Sequence, residues 1–418
     1  MVTESASARE SARPPLWRNR DYMLLWSGQF VSILGSGISG IAYPLLVLRL
    51  THSPAQAGIL EAVATLPFLL FALPAGALVD RWNRKRLMIK CDAVNALLMA
   101  GIGVAYAAGR LTMPQLYISA LLGGTCFLFF NLSETSSLPR VVPKEQLPSA
   151  SAQNEASGAA GTLIAPALGG FLYQTIGATV PFVVDAVSYA ASVISLSFVR
   201  TEFQEERTAE RRNLRAEIAQ GVRWLWSHPL IRFMAFLVGG CNFGNAATGL
   251  LLIILAQRQG ASPALIGAMF AIASVGGLLG AVVAPRFQRR FSFGKVIITC
   301  MFVSAFLWPL YAVAPNAIVL GIIFAGGFAV TPIFNAVQFS YRLALIPDEL
   351  QGRVNSSFRM LAFGFQPIGA AACGVLIQVI GPKPTVLFFS IVTLGLALTT
   401  AANSHVRYAR PLTEVQAV

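Results

Sequence analysis

Apolar residues run through this chain in long stretches separated by short polar breaks. A helix rising about 1.5 Å per residue needs about 20 such residues to cross roughly 30 Å of hydrocarbon. Twelve stretches qualify. Six cover residues 22–48, 55–79, 87–108, 115–138, 152–176 and 179–199, and six more cover 230–256, 262–285, 294–314, 316–341, 353–380 and 384–404. Lipid gives backbone amides no partner, so each stretch is expected to bond internally as a helix. Numbered span one to span twelve, they predict an all-α polytopic membrane protein.

The polar breaks orient these spans. Between spans two and three, Gly76 to Arg86 packs one acid and four bases into a chain only 12% charged. Lys and Arg are retained on the cytoplasmic side of short membrane loops, so this stretch reads as a cytoplasmic loop. Of 31 Lys and Arg residues, only Arg49, Arg110, Arg258 and Lys383 then fall in outside loops, leaving 27 (31 − 4) on or near the cytoplasmic side. Both termini are expected inside the cell.

The longest polar segment, 200–229, divides the spans six and six. Within it, Leu214, Ile218, Val222, Leu225 and Trp226 recur at helical spacing beside Arg211, Arg212, Arg215 and Arg223, which predicts an amphipathic helix along the cytoplasmic face. The expected organisation is a cytoplasmic tail (1–21), a six-helix bundle (22–199), this linker (200–229), a second six-helix bundle (230–404) and a second tail (405–418). The bundles also look duplicated at a spacing of 204 residues: Gly76, Pro143, Gly170, Gln174 and Gly177 align with Gly280, Pro347, Gly374, Gln378 and Gly381. Ser53-Pro54-Ala55 and Ser262-Pro263-Ala264 sit at 209 instead, which reads as an insertion within the second span of one half.

Composition narrows the function. A net charge of +13 raises nucleic acid as a partner, but the bases stand in small groups between apolar runs, so nucleic-acid binding is not expected. Cys91, Cys126, Cys241, Cys300 and Cys373 lie singly inside apolar runs and read as packing residues rather than disulfides or metal ligands. No phosphate-binding loop or metal-ligand cluster appears, so neither an enzyme, a cofactor nor a metal site is expected. Two repeated six-span bundles joined by a linker fit a rocking transporter with its site between the halves near mid-membrane.

The loop Gly76-x-Leu78-Val79-Asp80-Arg81-x-x-Arg84-Lys85 closely resembles the one between spans two and three of the major facilitator superfamily, with Asn83 where that pattern has Gly. The resemblance implies that Asp80, Arg81, Arg84 and Lys85 form a cytoplasmic gate latching the two halves. In span five, Gly161-x-x-x-Ala165-Pro166-x-x-Gly169-Gly170 is similar to the antiporter motif of exporters in that superfamily, with Ala165 for its second glycine. It implies close helix packing and a hinge at Pro166. Trp26-Ser27-Gly28-Gln29, the segment Glu217 to Pro229 with Gly221, Trp224 and Trp226, and Gln351-Gly352-Arg353-Val354-Asn355 resemble the branch holding macrolide efflux pumps and catechol-siderophore exporters.

What the resemblance implies is a monomeric exporter in the inner (cytoplasmic) membrane, exchanging a drug, antibiotic or siderophore-like molecule for protons. Nutrient uptake, and a non-transporting scaffold or sensor, are the alternatives. Charges in hydrocarbon are costly and therefore functional candidates. Glu61, about 9 Å into span two, Glu134 in span four and Arg359, about two turns into span eleven, lie on spans that line the cavity in that fold and are candidates for proton coupling. Asp92 and Asp185 sit on supporting spans and read as structurally paired, and Glu155 as a helix-start acid. The span-four arginine usual in the superfamily is missing. Candidate substrate contacts are Gln29, Ser36, Asn131, Asn242, Asn245, Asn335, Gln338 and Gln366, with Phe127, Phe129, Phe130, Phe334 and Phe363 supplying apolar lining.

Overall fold

In the computed structural model the described residues are 15–204, 214–347 and 350–409, without the side chains of Ala72, Leu73, Ala77, Asp80 and residues 214–218. The tail ends, Glu349 and the Asp80 side chain therefore lie outside the described residues.

Among the described residues, twelve helices are long and apolar enough to cross a membrane. Spans one to six are Arg20–Thr51, Pro54–Arg81, Arg84–Ala107, Met113–Val141, Leu147–Thr175 and Val180–Phe198. Spans seven, eight, ten and twelve are Pro229–Arg258, Pro263–Arg290, Ala317–Leu345 and Pro382–Ala402. Two spans are interrupted. Span nine runs Phe293–Leu307, breaks at Trp308 and Pro309, and resumes as Leu310–Val313. Span eleven runs Gln351–Gly364 and Gln366–Ile380, with Pro367 in the first turn of the second piece. Both interruptions carry a proline, which lacks the amide a continuing helix needs.

Local chemistry starts the helices. Side-chain oxygens of Asn19, Ser53, Asn83, Ser262 and Asn316 accept from backbone N–H groups of Tyr22, Gln56, Arg86, Leu265 and Val319 at 3.0 to 3.3 Å. Asn83 is thus a helix cap, which accounts for its presence in a loop whose pattern carries glycine. The loop itself is shorter than expected: span two continues through Arg81 and span three starts at Arg84, leaving only Trp82 and Asn83 outside helices.

The helix ends also correct the repeat. Spans two and eight both have 28 residues, and both their starts (54, 263) and their ends (81, 290) differ by 209, so neither carries an insertion. Span three starts 29 residues before span four (113 − 84), whereas span nine starts 24 before span ten (317 − 293). The five-residue difference arises there and restores the spacing of 204. In this register Asp80 corresponds to Arg289.

Spans one, three, five and six pack together, spans two and four likewise, and the second half repeats the scheme. The halves meet where span two lies along span eleven and span five along span eight. Their buried apolar side chains form three clusters. One is shared by both halves at the end opposite the linker, and includes Leu46 and Phe182 with Leu251 and Phe389. The other two lie at the linker end, one confined to the first half around Tyr22 and Met88, the other to the second around Leu225 and Phe358. Apolar burial therefore joins the halves at the distal end and leaves them separate at the linker end. The linker helix, Leu214–Ser227, stays with the second half: Leu225 is buried there, and Gln220 Oε1 accepts from the Arg353 guanidinium at 2.5 Å.

Candidate functional site

Two clasps of the same design close the distal end. Span two meets span eleven where Gly58 faces Gly374, and a Cβ on Gly374 would come within 2.5 Å of the Pro54 carbonyl oxygen and 2.8 Å of the Gly58 Cα. Span five meets span eight where Gly170 faces Pro263 and Gly267. Hydrogen bonds finish each contact: Ser53 Oγ donates to Gln378 Oε1 at 3.1 Å, and the Ala264 N–H donates to Gln174 Oε1 at 3.1 Å. The repeat pairs Gln174 with Gln378 and Ser53 with Ser262, so the repeated residues are those of the closure. Deeper in, Ser274 Oγ of span eight donates to the Thr162 carbonyl of span five at 2.8 Å.

Below the clasps, spans two, four and eleven carry the predicted charges. Glu61 is exposed, one turn from the Gly58–Gly374 contact and seven residues before Phe68, hence on the same face of span two as that ring. Glu134 is half-buried and Asn131, one helical turn away, is exposed. From the opposite half comes Arg359, exposed, with its guanidinium 5.9 Å from the Phe363 ring centre. Phe363 in turn lies 6.2 Å from Phe68, itself 6.1 Å from Phe127, so an aromatic bridge crosses from span eleven through span two to span four.

Asp92 and Asp185 stand elsewhere, in the seam behind this wall. Ser192 Oγ donates to Asp92 at 2.6 Å; Ser39 Oγ donates to Asp185 at 2.6 Å and Ser36 Oγ at 3.3 Å. Ser36 also bonds Tyr189 at 2.9 Å, so this predicted substrate contact is turned toward span six. Gln29 is half-buried in span one, and its Nε2 has no hydrogen-bond partner.

The second half encloses a cavity of about 130 Å³ bounded by spans seven, nine, ten and twelve. Asn242, Asn245 and Asn335 line it, with Ser304, Trp308 and Tyr311 reaching in from span nine, and none of its lining residues is charged. Asn245 and Asn335 are exposed, while Asn242 Nδ2 donates to the Ala362 carbonyl at 2.8 Å. Gln338 is buried beside this wall and Gln366 opens the second piece of span eleven, half-buried.

Buried Arg342 was not visible in the hydropathy pattern. Span ten runs one turn past its expected end and carries this guanidinium 3.9 Å from the Phe358 ring centre, with Gln338 Oε1 at 3.5 Å. Its spacing of four from Gln338 was the available signal. Of the loop bases, Arg84 donates to the Ser136 carbonyl at 2.9 Å and Lys85 Nζ to the Val199 carbonyl at 2.5 Å, near the ends of spans four and six. Cations there meet the negative ends of two helix dipoles. Arg81 is exposed, and a Cβ on Gly76 would meet nothing within 4 Å. In span five, Gly161, Ala165 and Gly169 face span one, against Ile33, Gly37 and Ile38, while the Pro166 carbonyl lies against Gly267 of span eight. Among the described residues no group of three His, Cys, Asp or Glu is placed to hold a metal.

Comparison with known proteins agrees with this architecture. The chain is 28% identical over 396 residues to the multidrug efflux pump Tap of Mycolicibacterium fortuitum, covering 89% of this chain and 93% of that one. It is 25% identical over 384 residues to the enterobactin exporter EntS of Salmonella typhi, covering 90% and 91%. Among solved structures, the nucleoside transporter NupG superposes with a TM-score of 0.74 at 14% identity, covering 93% of this chain and all of that one. A bacterial homologue of the iron transporter ferroportin, in an inward-facing state, superposes with a TM-score of 0.70 at 16% identity over 93% and 99%. At such identities these two matches speak for the fold alone. The Major Facilitator Superfamily model matches residues 25–370, and with twelve candidate spans in two repeated six-helix bundles the chain belongs to that superfamily of membrane transporters.

Proposed function

We propose that this transporter exports a small, mostly apolar or amphipathic molecule, of the drug or siderophore-like class, in exchange for protons. It does so from the inner membrane with both termini in the cytoplasm. The observation that carries the reading is Glu61, an exposed carboxylate within a membrane span with closed helices on its distal side. A carboxylate so placed takes up a proton in one state of the carrier and gives it up in the other as its surroundings change. Glu134 supplies a second such group, and Arg359 on span eleven supplies a positive charge from the other half.

The positive-inside distribution puts the linker in the cytoplasm, so the closed distal end is the outer face and the cavity is reached from within the cell. That is the side from which an exporter loads. Tap is named a multidrug efflux pump and EntS an enterobactin exporter, which supports outward transport. Asp80, Arg81, Arg84 and Lys85 then act in the alternate state. Arg84 and Lys85 hold the inner ends of spans three, four and six as one block, and Asp80 closes against the second half when the outer clasps part.

The test is pH-driven flux in proteoliposomes with ethidium and chloramphenicol as probes. Glu61→Gln and Glu134→Gln are expected to abolish or uncouple it while the protein folds and binds. Full retention of pH-driven flux in both variants refutes the coupling role. Absence of flux for every compound in a broad drug panel, with no change in susceptibility on overexpression or deletion, favours a non-transporting scaffold. Inward flux along the proton gradient favours nutrient uptake.

A further inference from the structure

The seams inside the two halves have opposite chemistry. Spans four and ten repeat at 204 with Gly123, Phe130, Asn131 and Glu134 matching Gly327, Phe334, Asn335 and Gln338. Phe130 and Phe334 are both buried, and Asn131 and Asn335 are both exposed, so the register holds in three dimensions. Of these four positions only the last changes, from Glu134 to its neutral isostere Gln338. The same exchange recurs between spans six and twelve, where the spacing fixed by Gly177 and Gly381 matches Asp185 with Phe389. Asp185 is held by hydroxyls in a filled seam; Phe389 instead stacks, 5.5 Å between centres, on Trp308, which lines the cavity of the second half.

That cavity is built to remain open. Gly244 and Gly327 both line it, and a Cβ on each would lie 3.7 Å from Trp308 Cζ2 and 3.6 Å from Tyr311 Oη respectively. A methyl fits there, whereas a larger side chain fills the space. The breaks at Trp308 and Pro309 bring Trp308 and Tyr311 to the same wall.

We propose that this cavity between spans seven, nine, ten and twelve is the subsite for an uncharged aryl part of the exported molecule, bearing an amide, carbonyl or hydroxyl. The inference rests on the export reading and deepens it. A charge carried into this enclosure has no counter-ion among the lining residues and loses its hydration. A ring finds Trp308, Tyr311, Phe324 and Phe328 for stacked or edge contacts. The exposed amides of Asn245 and Asn335 each offer a donor and an acceptor, so they fix the polar substituent whichever role it plays. A volume of about 130 Å³ is that of a single ring rather than of a whole drug-sized ligand, which is why the site takes only the aryl part. The proton is carried by the acidic first half and the neutral cargo by the second.

The experiment is equilibrium binding to the purified full chain in detergent, without a proton gradient, using radiolabelled chloramphenicol as the neutral aryl amide and tetraphenylphosphonium as an aromatic cation. Saturable chloramphenicol binding is expected. It should weaken at least about tenfold in Gly244→Leu, Gly327→Leu and Asn335→Leu, a loss of about 1.4 kcal/mol or more. Gly395→Leu, at a site with nothing within 4 Å, should bind as the unaltered protein does. Asn335→Leu leaves the packing intact and so reads the subsite even if a leucine at a glycine impairs folding. The proposal is overturned if chloramphenicol shows no saturable binding up to about 1 mM. It is equally overturned if Asn335→Leu leaves binding unchanged, or weakens tetraphenylphosphonium as much as chloramphenicol. Binding that meets these expectations alongside absent pH-driven flux removes proton exchange and leaves the subsite standing. Normal flux with unaltered binding in all the variants does the reverse.

Discussion

Replacing Gly374 by alanine tests the outer closure most directly. Its Cβ would stand 2.5 Å from the Pro54 carbonyl oxygen and 2.8 Å from the Gly58 Cα, both backbone atoms of span two with no rotamer to yield. Ordinary contact begins at 3.4 Å, so spans two and eleven must separate locally by about 0.9 Å (3.4 − 2.5). Overpacking of this kind costs about 1–3 kcal/mol. The clasp exists only while the outer end is closed, so the whole cost falls on that state and moves the equilibrium toward the outward-facing one by a factor of about 5 to 150. Spin labels at His52 and Val379, both exposed beside the clasp, report it by pulsed electron resonance. The unaltered protein should give a dominant short distance and Gly374→Ala a dominant longer one. Gly395→Ala, where a Cβ meets nothing, should not change the distribution. An unchanged distribution in Gly374→Ala, with the protein folded, refutes the claim that backbone contact at Gly58 and Gly374 holds this state.

The matching clasp should respond alike: Gly170→Ala, pressed on the Pro263 carbonyl, is expected to shift the same distances in the same direction, as read by the same labels. Ser192→Ala removes the 2.6 Å bond that satisfies Asp92 in the buried seam, and should lower stability by about 1–3 kcal/mol in thermal unfolding while leaving substrate binding in place. Lys85→Met removes the donor to the Val199 carbonyl and should cost about 1 kcal/mol by the same measurement. Asp80→Asn is expected to cut pH-driven flux at least about tenfold, the equivalent of about 1.4 kcal/mol. Arg289→Gln, at the corresponding position of span eight, should cut it less, and equal losses argue against a latch that acts from the first half only.

Much of this protein was written in its hydropathy. Bilayer thickness fixes the length of an apolar helix whatever its neighbours, so twelve spans and the six-and-six division follow from one-dimensional pattern. Short-range chemistry was equally legible, as with Ser53 and Ser262 capping spans two and eight ahead of Pro54 and Pro263. The rotation of each helix was not, because nearly all faces of a span are apolar and the pattern has little to point with. Tertiary packing alone turned Ser36 toward span six and buried Arg342 against Phe358. It also showed which glycines matter: Gly76 stands in the open, while Gly58, Gly170, Gly267 and Gly374 bring backbones together. Contacts between residues hundreds of positions apart depend on how the halves meet, and no local spacing encodes that. Sequence determined that the chain crosses the membrane twelve times and which half carries the carboxylates; packing decided where it closes and which side chains meet.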